Sequence, residues 1–191
     1  MPTRRIVAGA LLGAIALAGC GGSSPSVSVG DKSAVVVLSR HVRHQAELAK
    51  LTAARATEAD ERAIARSAAT TTSAAAGQLD AVLASWHVTT AEADRLFAAA
   101  TAAIPDVKGV PMYACSLSGP VDDVGQLNAA PPAQVSARWA QLTMTSALEG
   151  LRLASSTYTS LFNAVQRGLL REVAPLLPAT DQRLALAYSS S

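Results

Sequence analysis

The chain has 191 residues, of which 50% are hydrophobic, 16% are charged and only 4% are aromatic. It has 16 Lys and Arg against 14 Asp and Glu, and two of the basic residues, Arg4 and Arg5, lie in an N-terminal segment that has the features of a cleaved leader. The rest is formally neutral and poor in aromatic residues, so it lacks the basic surface that nucleic-acid binding requires, and we exclude that class of partner.

The first 20 residues are typical of a bacterial lipoprotein signal. Two arginines precede an apolar run of 13 residues, 6–18, which is shorter than the roughly 20 residues of a membrane-spanning helix. The run leads into the letters LAGC, which end at Cys20 and resemble a lipobox, where the cysteine is acylated on sulfur and becomes the new N-terminus. We expect residues 1–19 to be a signal peptide and Cys20 to anchor the protein to the membrane of the bacterial cell envelope. An ordinary secretory signal with an incidental cysteine is the alternative.

Residues 20–33 are predicted to hold the lipidated cysteine and a flexible tether, because the segment after Cys20 is rich in Gly and Ser. The folded domain is expected to occupy residues 34–191. This length is enough for one domain with its own core. The segment is rich in alanine and nearly lacks the alternation of strands, so we predict an all-α domain.

Residues 34–88 predict two long helices. The first carries a stripe of residues at three- and four-residue spacing: Leu38, His41, Gln45, Leu48 and Thr52. The letters TEAD at 57–60 are typical of a capping box and place the start of the second helix there. Its predicted buried stripe is Ile64, Ala68, Thr71, Ala75, Leu79, Val82 and Trp86. The short link makes the two helices antiparallel neighbours.

Residues 89–131 predict a long crossover. The letters TTAE at 89–92 again indicate a helix start, and this shorter helix should end near Ala103, before Pro105. The following stretch is rich in Pro and Gly and predicts an irregular connection with one helical turn near 121–127. Connections of this length are uncommon in compact domains and tend to be functional or mobile.

Residues 132–191 predict a second helical hairpin. It starts with Pro132 in its first turn, presents apolar side chains up to Leu169, and is interrupted by Pro175 and Pro178. A last short helix is predicted over Thr180 to Tyr188. Together the segments predict a helical bundle made of two hairpins joined by a long crossover.

The stretch 38–88 resembles one repeat of the ferritin-like bacterial envelope family known as domain of unknown function 305. Members carry Met-x-x-His-His, then a turn with Arg-x-Leu-Ala, and a tryptophan that closes the second helix. In this chain Leu38 falls at the Met, His41 at the first His, Val42 at the second, Arg62 in the Arg-x-Leu-Ala, and Trp86 at the tryptophan.

A second repeat is expected from the same resemblance. The stretch 144–151 fits Met-x-x-His-His-Glu-Gly-Ala, with Met144 and Glu149 kept and with Ala147 and Leu148 in place of both histidines. The resemblance implies a ferritin-like four-helix bundle, with a first repeat at about 34–88 and a second at about 132–191. In members that bind copper, the His and Met side chains are the expected ligands, and most of those positions are changed here.

His41 and His44 are candidate metal ligands, since residues three apart share a helix face and imidazole suits copper or zinc. A stable site needs three or four ligands, and the facing helix offers Thr71 and Thr72 rather than strong donors. The alternative is a partly buried His41 that bonds to the hydroxyl of Thr71 or Thr72, with a solvated His44.

Met112 and Cys115 are two soft sulfur donors at a spacing compatible with Cu(I), and His41 or Met144 would complete a site if the crossover folded back. Cys115 is the one cysteine left after Cys20, so no intrachain disulfide is expected. Burial and a link between two chains are the other interpretations of Cys115.

No motif of a known enzyme class occurs in the chain. The sequence has three histidines, none in a recognised catalytic context, and lacks a nucleophile elbow, a phosphate loop, His-Glu-x-x-His and Cys-x-x-Cys. Glu47 and Glu149 are interpreted as surface charge. We therefore expect a lipid-anchored binding or scaffolding module without catalysis or cofactor, whose partner is an envelope protein of unknown identity. The alternative hypothesis is a copper-binding envelope protein that uses His41, His44, Met112, Cys115 and Met144.

Overall fold

The computed structural model describes residues 27–102, 123–153 and 159–190. The regular structure in these ranges is entirely helical, which confirms the predicted all-α class. The α-helices are α1 (Val29–Arg55), α2 (Ala59–Ser85), α3 (Thr90–Ala102), α4 (Asp123–Ala129), α5 (Val135–Leu153), α6 (Thr159–Val173) and α7 (Ala179–Ser190), and short 3₁₀ turns cover Pro132–Gln134 and Ala174–Leu176.

Helix α1 begins five residues before the predicted position. Ser28 caps it: the Ser28 hydroxyl accepts from the Asp31 amide at 3.0 Å, and the Asp31 carboxylate accepts from the Ser28 amide at 3.1 Å. This reciprocal capping box satisfies two amide groups that would otherwise lack partners. Residues 29–33 therefore belong to the helix and not to the predicted tether.

Helix α2 starts where it was expected, but not through the predicted cap. Its N-cap is Glu58, which makes no side-chain capping bond. Arg62 instead donates to the carbonyl of Ala56 at 2.9 Å and fixes the turn between α1 and α2. The predicted stripe is also wrong at one position, since Thr71 is exposed and Thr72 is the buried threonine.

Helices α3 and α4 occupy the crossover where helical segments were predicted. The Thr89 hydroxyl accepts from the Glu92 amide at 3.2 Å, as expected for an N-cap. Helix α4 has seven residues, about two turns. It is joined to α1, because Arg55 donates to the carbonyls of Leu127 and Ala130. The predicted irregular segment between them lies outside the described residues.

The helices pack as two pairs around a common core. Helix α1 runs along α2, α5 packs on α6, and the pairs meet through contacts of α1 with α5 and of α2 with α6. Helix α7 lies on α6. Trp139 is 1% exposed and is the largest fully buried side chain among the described residues. Burying each such apolar side chain stabilises the fold by about 1.5–3 kcal/mol.

The predicted stripe of α1 is confirmed throughout, since Leu38, His41, Gln45, Leu48 and Thr52 are all buried. Trp86, at the end of α2, is partly buried against the core. In the described part of the chain, none of the helices combines the length and the apolar character that crossing a membrane demands.

Candidate functional site

Four buried polar side chains meet in the centre of the molecule, and we call them the polar core cluster: His41 and Gln45 from α1, Ser146 from α5 and Gln166 from α6. They are between 0% and 5% exposed. His41 and Gln45 are four residues apart and so project from the same face of α1. The cluster lies where the two helix pairs meet.

The two glutamines form a reciprocal amide pair. The Gln45 amide nitrogen donates to the Gln166 carbonyl oxygen at 2.8 Å, and the Gln166 amide nitrogen donates to the Gln45 carbonyl oxygen at 3.0 Å. Gln45 also donates to the Ser146 hydroxyl at 3.3 Å. Each amide therefore satisfies the other, which offsets the cost of removing both from water.

His41 is completely buried beside this pair. Its Nε2 lies 3.4 Å from the Ser146 hydroxyl. Burial lowers the pKa of His41 from 6.5 to about 4, while a hydrogen bond with Gln166 raises it and the nearby His44 lowers it. His41 is consequently a neutral imidazole at neutral pH, since a charged ring would lose its hydration without gaining an acid.

The predicted hydroxyl partner of His41 was wrong. Thr71 points to solvent, and the Thr72 hydroxyl donates to the carbonyl of Ala68 in its own helix at 2.6 Å. The structure gives the hydroxyl contact to Ser146 instead. The prediction failed because α1 meets α5 as well as α2, and only the tertiary packing decides which helix faces a given side chain.

His44 lies at the edge of the core and not in open solvent as predicted. Its side chain is 24% exposed, and its Nε2 lies 3.2 Å from a carboxylate oxygen of Asp123 in α4. The two histidines therefore contact different elements: His41 contacts α5 and α6, whereas His44 contacts α4. The bond from His44 holds the start of α4 against α1.

The candidate sulfur ligands are only partly covered by the structure. Met144 is partly buried and packs against the hydrophobic core. Met112 and Cys115 lie outside the described residues, as do Cys20, the predicted acylation site, and the side chain of Glu149. Glu47 is exposed, in agreement with its predicted role as surface charge. The hypothesis that His41, His44, Met112, Cys115 and Met144 bind copper stays a prediction.

Within the described ranges, His, Cys, Asp and Glu side chains do not come together in groups of three or more that could hold an ion. The pair that does approach, His44 with Asp123, offers one imidazole and one carboxylate. Protein metal sites with tight binding generally use three or four ligands. His44 and Asp123 would need further donors to serve as a metal site.

Helix α5 places two more polar atoms on the stripe that carries Ser146. Trp139 Nε1 and Thr143 Oγ1 are buried and have no hydrogen-bond partner among the described residues. Residues 139, 143 and 146 share one face by their spacing of four and three. Each buried polar atom without a hydrogen-bond partner lowers the free energy of unfolding by about 1–3 kcal/mol. This stripe of α5 therefore contributes less to stability than the glutamine pair, in which both amides have partners.

Three residues of this region were missed from the sequence: Ser146, Gln166 and Asp123. Burial of Gln166 could have been predicted, because Leu169, Leu170 and Val173 follow it at helical spacing on the same face of α6. All four residues are buried. Ser146 lies within a stretch singled out for other residues. Asp123 had no local signal, because its partner His44 is 79 positions away in the chain.

No match was found when the chain was compared with models of known families, with curated proteins and with solved structures. The resemblance of 38–88 to the domain of unknown function 305 family accordingly rests on the quoted residues alone.

Proposed function

We propose that the mature chain is a lipid-anchored protein of the bacterial envelope, a non-catalytic binding or scaffolding module with a ferritin-like bundle. The proposed anchor is Cys20, and its support is the run of basic, apolar and small residues that precedes it. In this proposal the membrane is one partner, reached through the lipid. An envelope protein is the second partner.

The ferritin-like arrangement is supported by the pairing of the helices. Helices α1 and α2 form one hairpin, α5 and α6 form the other, and α3 and α4 lie in the connection between them. The two segments that resemble family repeats also meet: His41 of the first contacts Ser146 of the second, next to Ala147. This contact is what a bundle of two related hairpins requires.

One observation carries the functional proposal: the four side chains of the polar core cluster bond to one another. The Gln45–Gln166 pair is closed at 2.8 and 3.0 Å, and His41 is neutral, enclosed and engaged with Ser146. Binding an ion or substrate there would first require breaking these contacts at a cost of about 1–3 kcal/mol for each buried group left unpaired. The centre therefore serves stability, and recognition is assigned to the surface and the crossover.

Metal content and Cu(I) affinity of the purified mature chain test this function. We expect less than stoichiometric copper and zinc in the isolated protein, and a weak Cu(I) affinity that Cys115→Ser and His41→Gln leave unchanged. A matched control is Glu47→Gln, which changes an exposed residue of α1 outside the candidate set. Stoichiometric copper that is lost in Cys115→Ser or His41→Gln would replace this proposal with the copper-binding one.

The anchor is tested separately by mass spectrometry and fractionation of the full chain. We expect a mature protein that starts at Cys20 with a covalent lipid, and a Cys20→Ala variant that is neither lipidated nor processed at this site. An unmodified mature N-terminus at another residue would contradict the anchor while leaving the helical fold untouched. Non-reducing gels of the same samples show whether Cys115 links two chains.

A further inference from the structure

Helix α3 lies across the N-terminal half of α1 without entering the core. Over residues 90–100, where its side chains are described, none is buried. Helix α2, by contrast, buries seven residues: Ala65, Ala68, Ala69, Thr72, Ala75, Ala76 and Leu79. Since most helical stability in proteins comes from packing an apolar face, α3 is attached more weakly than its neighbours.

Two ion pairs and a cation–π contact attach α3 to α1. Lys32 lies 3.0 Å from a carboxylate oxygen of Glu92, and Arg40 pairs with Asp94 and lies over the ring of Phe97 at 4.3 Å from its centroid. The Ser33 hydroxyl adds a long contact of 3.5 Å to a backbone carbonyl of α3. The Asp94 side chain is 62% exposed, so salt screens its interaction with Arg40.

The space between α3 and the α1–α2 hairpin is incompletely filled. An open groove of about 350 Å³ lies there, and its lining includes Val36 and Arg40 of α1, Leu83 of α2 and Thr90 at the start of α3. Lys32, Val36 and Arg40 follow one another at four-residue spacing and so form one stripe of α1. In this stripe the apolar Val36 lies between the cations of Lys32 and Arg40. Helix α3 covers the stripe and pairs its two cations with Glu92 and Asp94.

The link between α2 and α3 contains a residue with a strained backbone conformation. Helix α2 ends in a Schellman motif, with Val88 N bonded to the Leu83 carbonyl and His87 N to the Ala84 carbonyl, both at 3.0 Å. His87 has a φ of 55°, the left-handed conformation that favours glycine. Only four residues, 86–89, separate the two helices. A change of backbone angles in so short a link is enough to redirect α3.

We propose that α3 is a displaceable helix that moves about residues 86–89 while α1 and α2 stay packed. Its closed position is held by the Lys32–Glu92 and Arg40–Asp94 pairs, and ionic strength acts on its release mainly through the more exposed Arg40–Asp94 pair. Released α3 uncovers the stripe of Lys32, Val36 and Arg40 and opens the groove beneath it. This movement of α3 requires no ligand and no change in the polar core cluster.

Amide hydrogen exchange of the full chain, measured by mass spectrometry at about 0.05 M and 1 M NaCl, tests whether α3 is displaced in this way. We expect peptides from 90–100 to exchange faster than peptides from the middle of α2, and high salt to accelerate α3 alone by roughly two- to fivefold. The Asp94→Asn variant should show fast exchange of α3 already at low salt, with a smaller response to added salt.

The matched control is Asp60→Asn, the same chemical change at an exposed residue at the opposite end of α2. It should leave the exchange of α3 and its salt response as in the unmodified chain. Equal protection of α3 and α2, or exchange of α3 that neither salt nor Asp94→Asn alters, overturns the proposal. Acceleration of α1, α2 and α3 together also overturns it, because it indicates opening of the whole fold.

Discussion

The polar core cluster and the attachment of α3 are both made of polar contacts to α1, yet they lie in opposite surroundings. The cluster is between 0% and 5% exposed and consists of neutral groups, whereas Asp94 in the α3 attachment is 62% exposed and charged. In water a charge pair gains little over hydration of the separate groups. In the core a neutral pair has no substitute partner, so its loss is expensive.

The number of polar contacts that an element makes does not determine how firmly it is held. Helix α3 forms two ion pairs with α1, but it contributes no buried side chain among its described residues. Its free energy of opening should therefore be small compared with that of the whole domain. Stability is concentrated where the hairpins meet, and mobility at the α3 edge.

The largest effect is expected from pH, through His41. The pKa of His41 is about 4 in the folded protein and 6.5 when unfolded, so between these values the unfolded chain binds more protons. The free energy of unfolding therefore rises with pH through this window. Above pH 6.5 the full stabilising contribution of neutral His41 is present. On acidification it should fall by about 2 kcal/mol by pH 5 and about 3 kcal/mol by pH 4.

Urea unfolding of the unmodified chain and of His41→Gln, measured at pH 7 and pH 5, checks this expectation. The variant has no imidazole at position 41, so the stability difference between the two proteins should shrink by about 2 kcal/mol at the lower pH. Comparing the two also removes the contribution of Glu172, whose pKa is raised by burial and which acts with the opposite sign. A difference that is constant with pH would show that His41 is not enclosed.

The next largest effect is expected from breaking the glutamine pair. Gln45→Leu leaves the buried amide of Gln166 without its partner and removes a donor from Ser146, so it should lower the free energy of unfolding by about 2–3 kcal/mol. The double change of Gln45 and Gln166 to Leu should recover part of this loss, because no unpaired amide is left, although His41 loses its hydrogen bond with Gln166 and Ser146 loses its donor. Chemical denaturation of the single and double variants measures the coupling, and additive losses would contradict it.

A gain of stability of about 1 kcal/mol is expected from His87→Gly. Glycine adopts a φ of 55° without the steric cost that a side chain carries there. Thermal unfolding should show a higher Tm for this variant. Ala84→Gly is the control, because the same residue introduced within the last turn of α2 should lower the Tm. Equal effects of the two changes would mean that the positive φ is not retained in solution.

The smallest effect is expected from Asp94→Asn. Removing one exposed ion pair should change the global free energy of unfolding by less than about 0.5 kcal/mol. The same denaturation experiment as for Gln45→Leu gives a direct comparison of one polar contact in the core with one at the surface. A global loss of about 2 kcal/mol would mean that α3 belongs to the cooperative core and is not held more weakly than the polar core cluster.

Much of the fold could be predicted because helices are encoded locally. The stripe from Leu38 to Thr52, the helix after Thr89 and the last helix near Thr180 to Tyr188 follow from spacing and caps, which depend on neighbours a few residues away. The errors were local too. Thr72 replaced Thr71 in the core, because one helical step decides between the two faces.

The site could be predicted only in part, because its bonds join distant segments. The sequence by itself determined that the chain is helical, where most helices begin and end, and that His41 and Gln45 share a buried face. The tertiary structure alone decided that Ser146 and Gln166 meet them, that Asp123 meets His44, and that α3 stays outside the core. The physical reason is that helical periodicity specifies which face is buried, whereas the partner of that face depends on how whole helices pack.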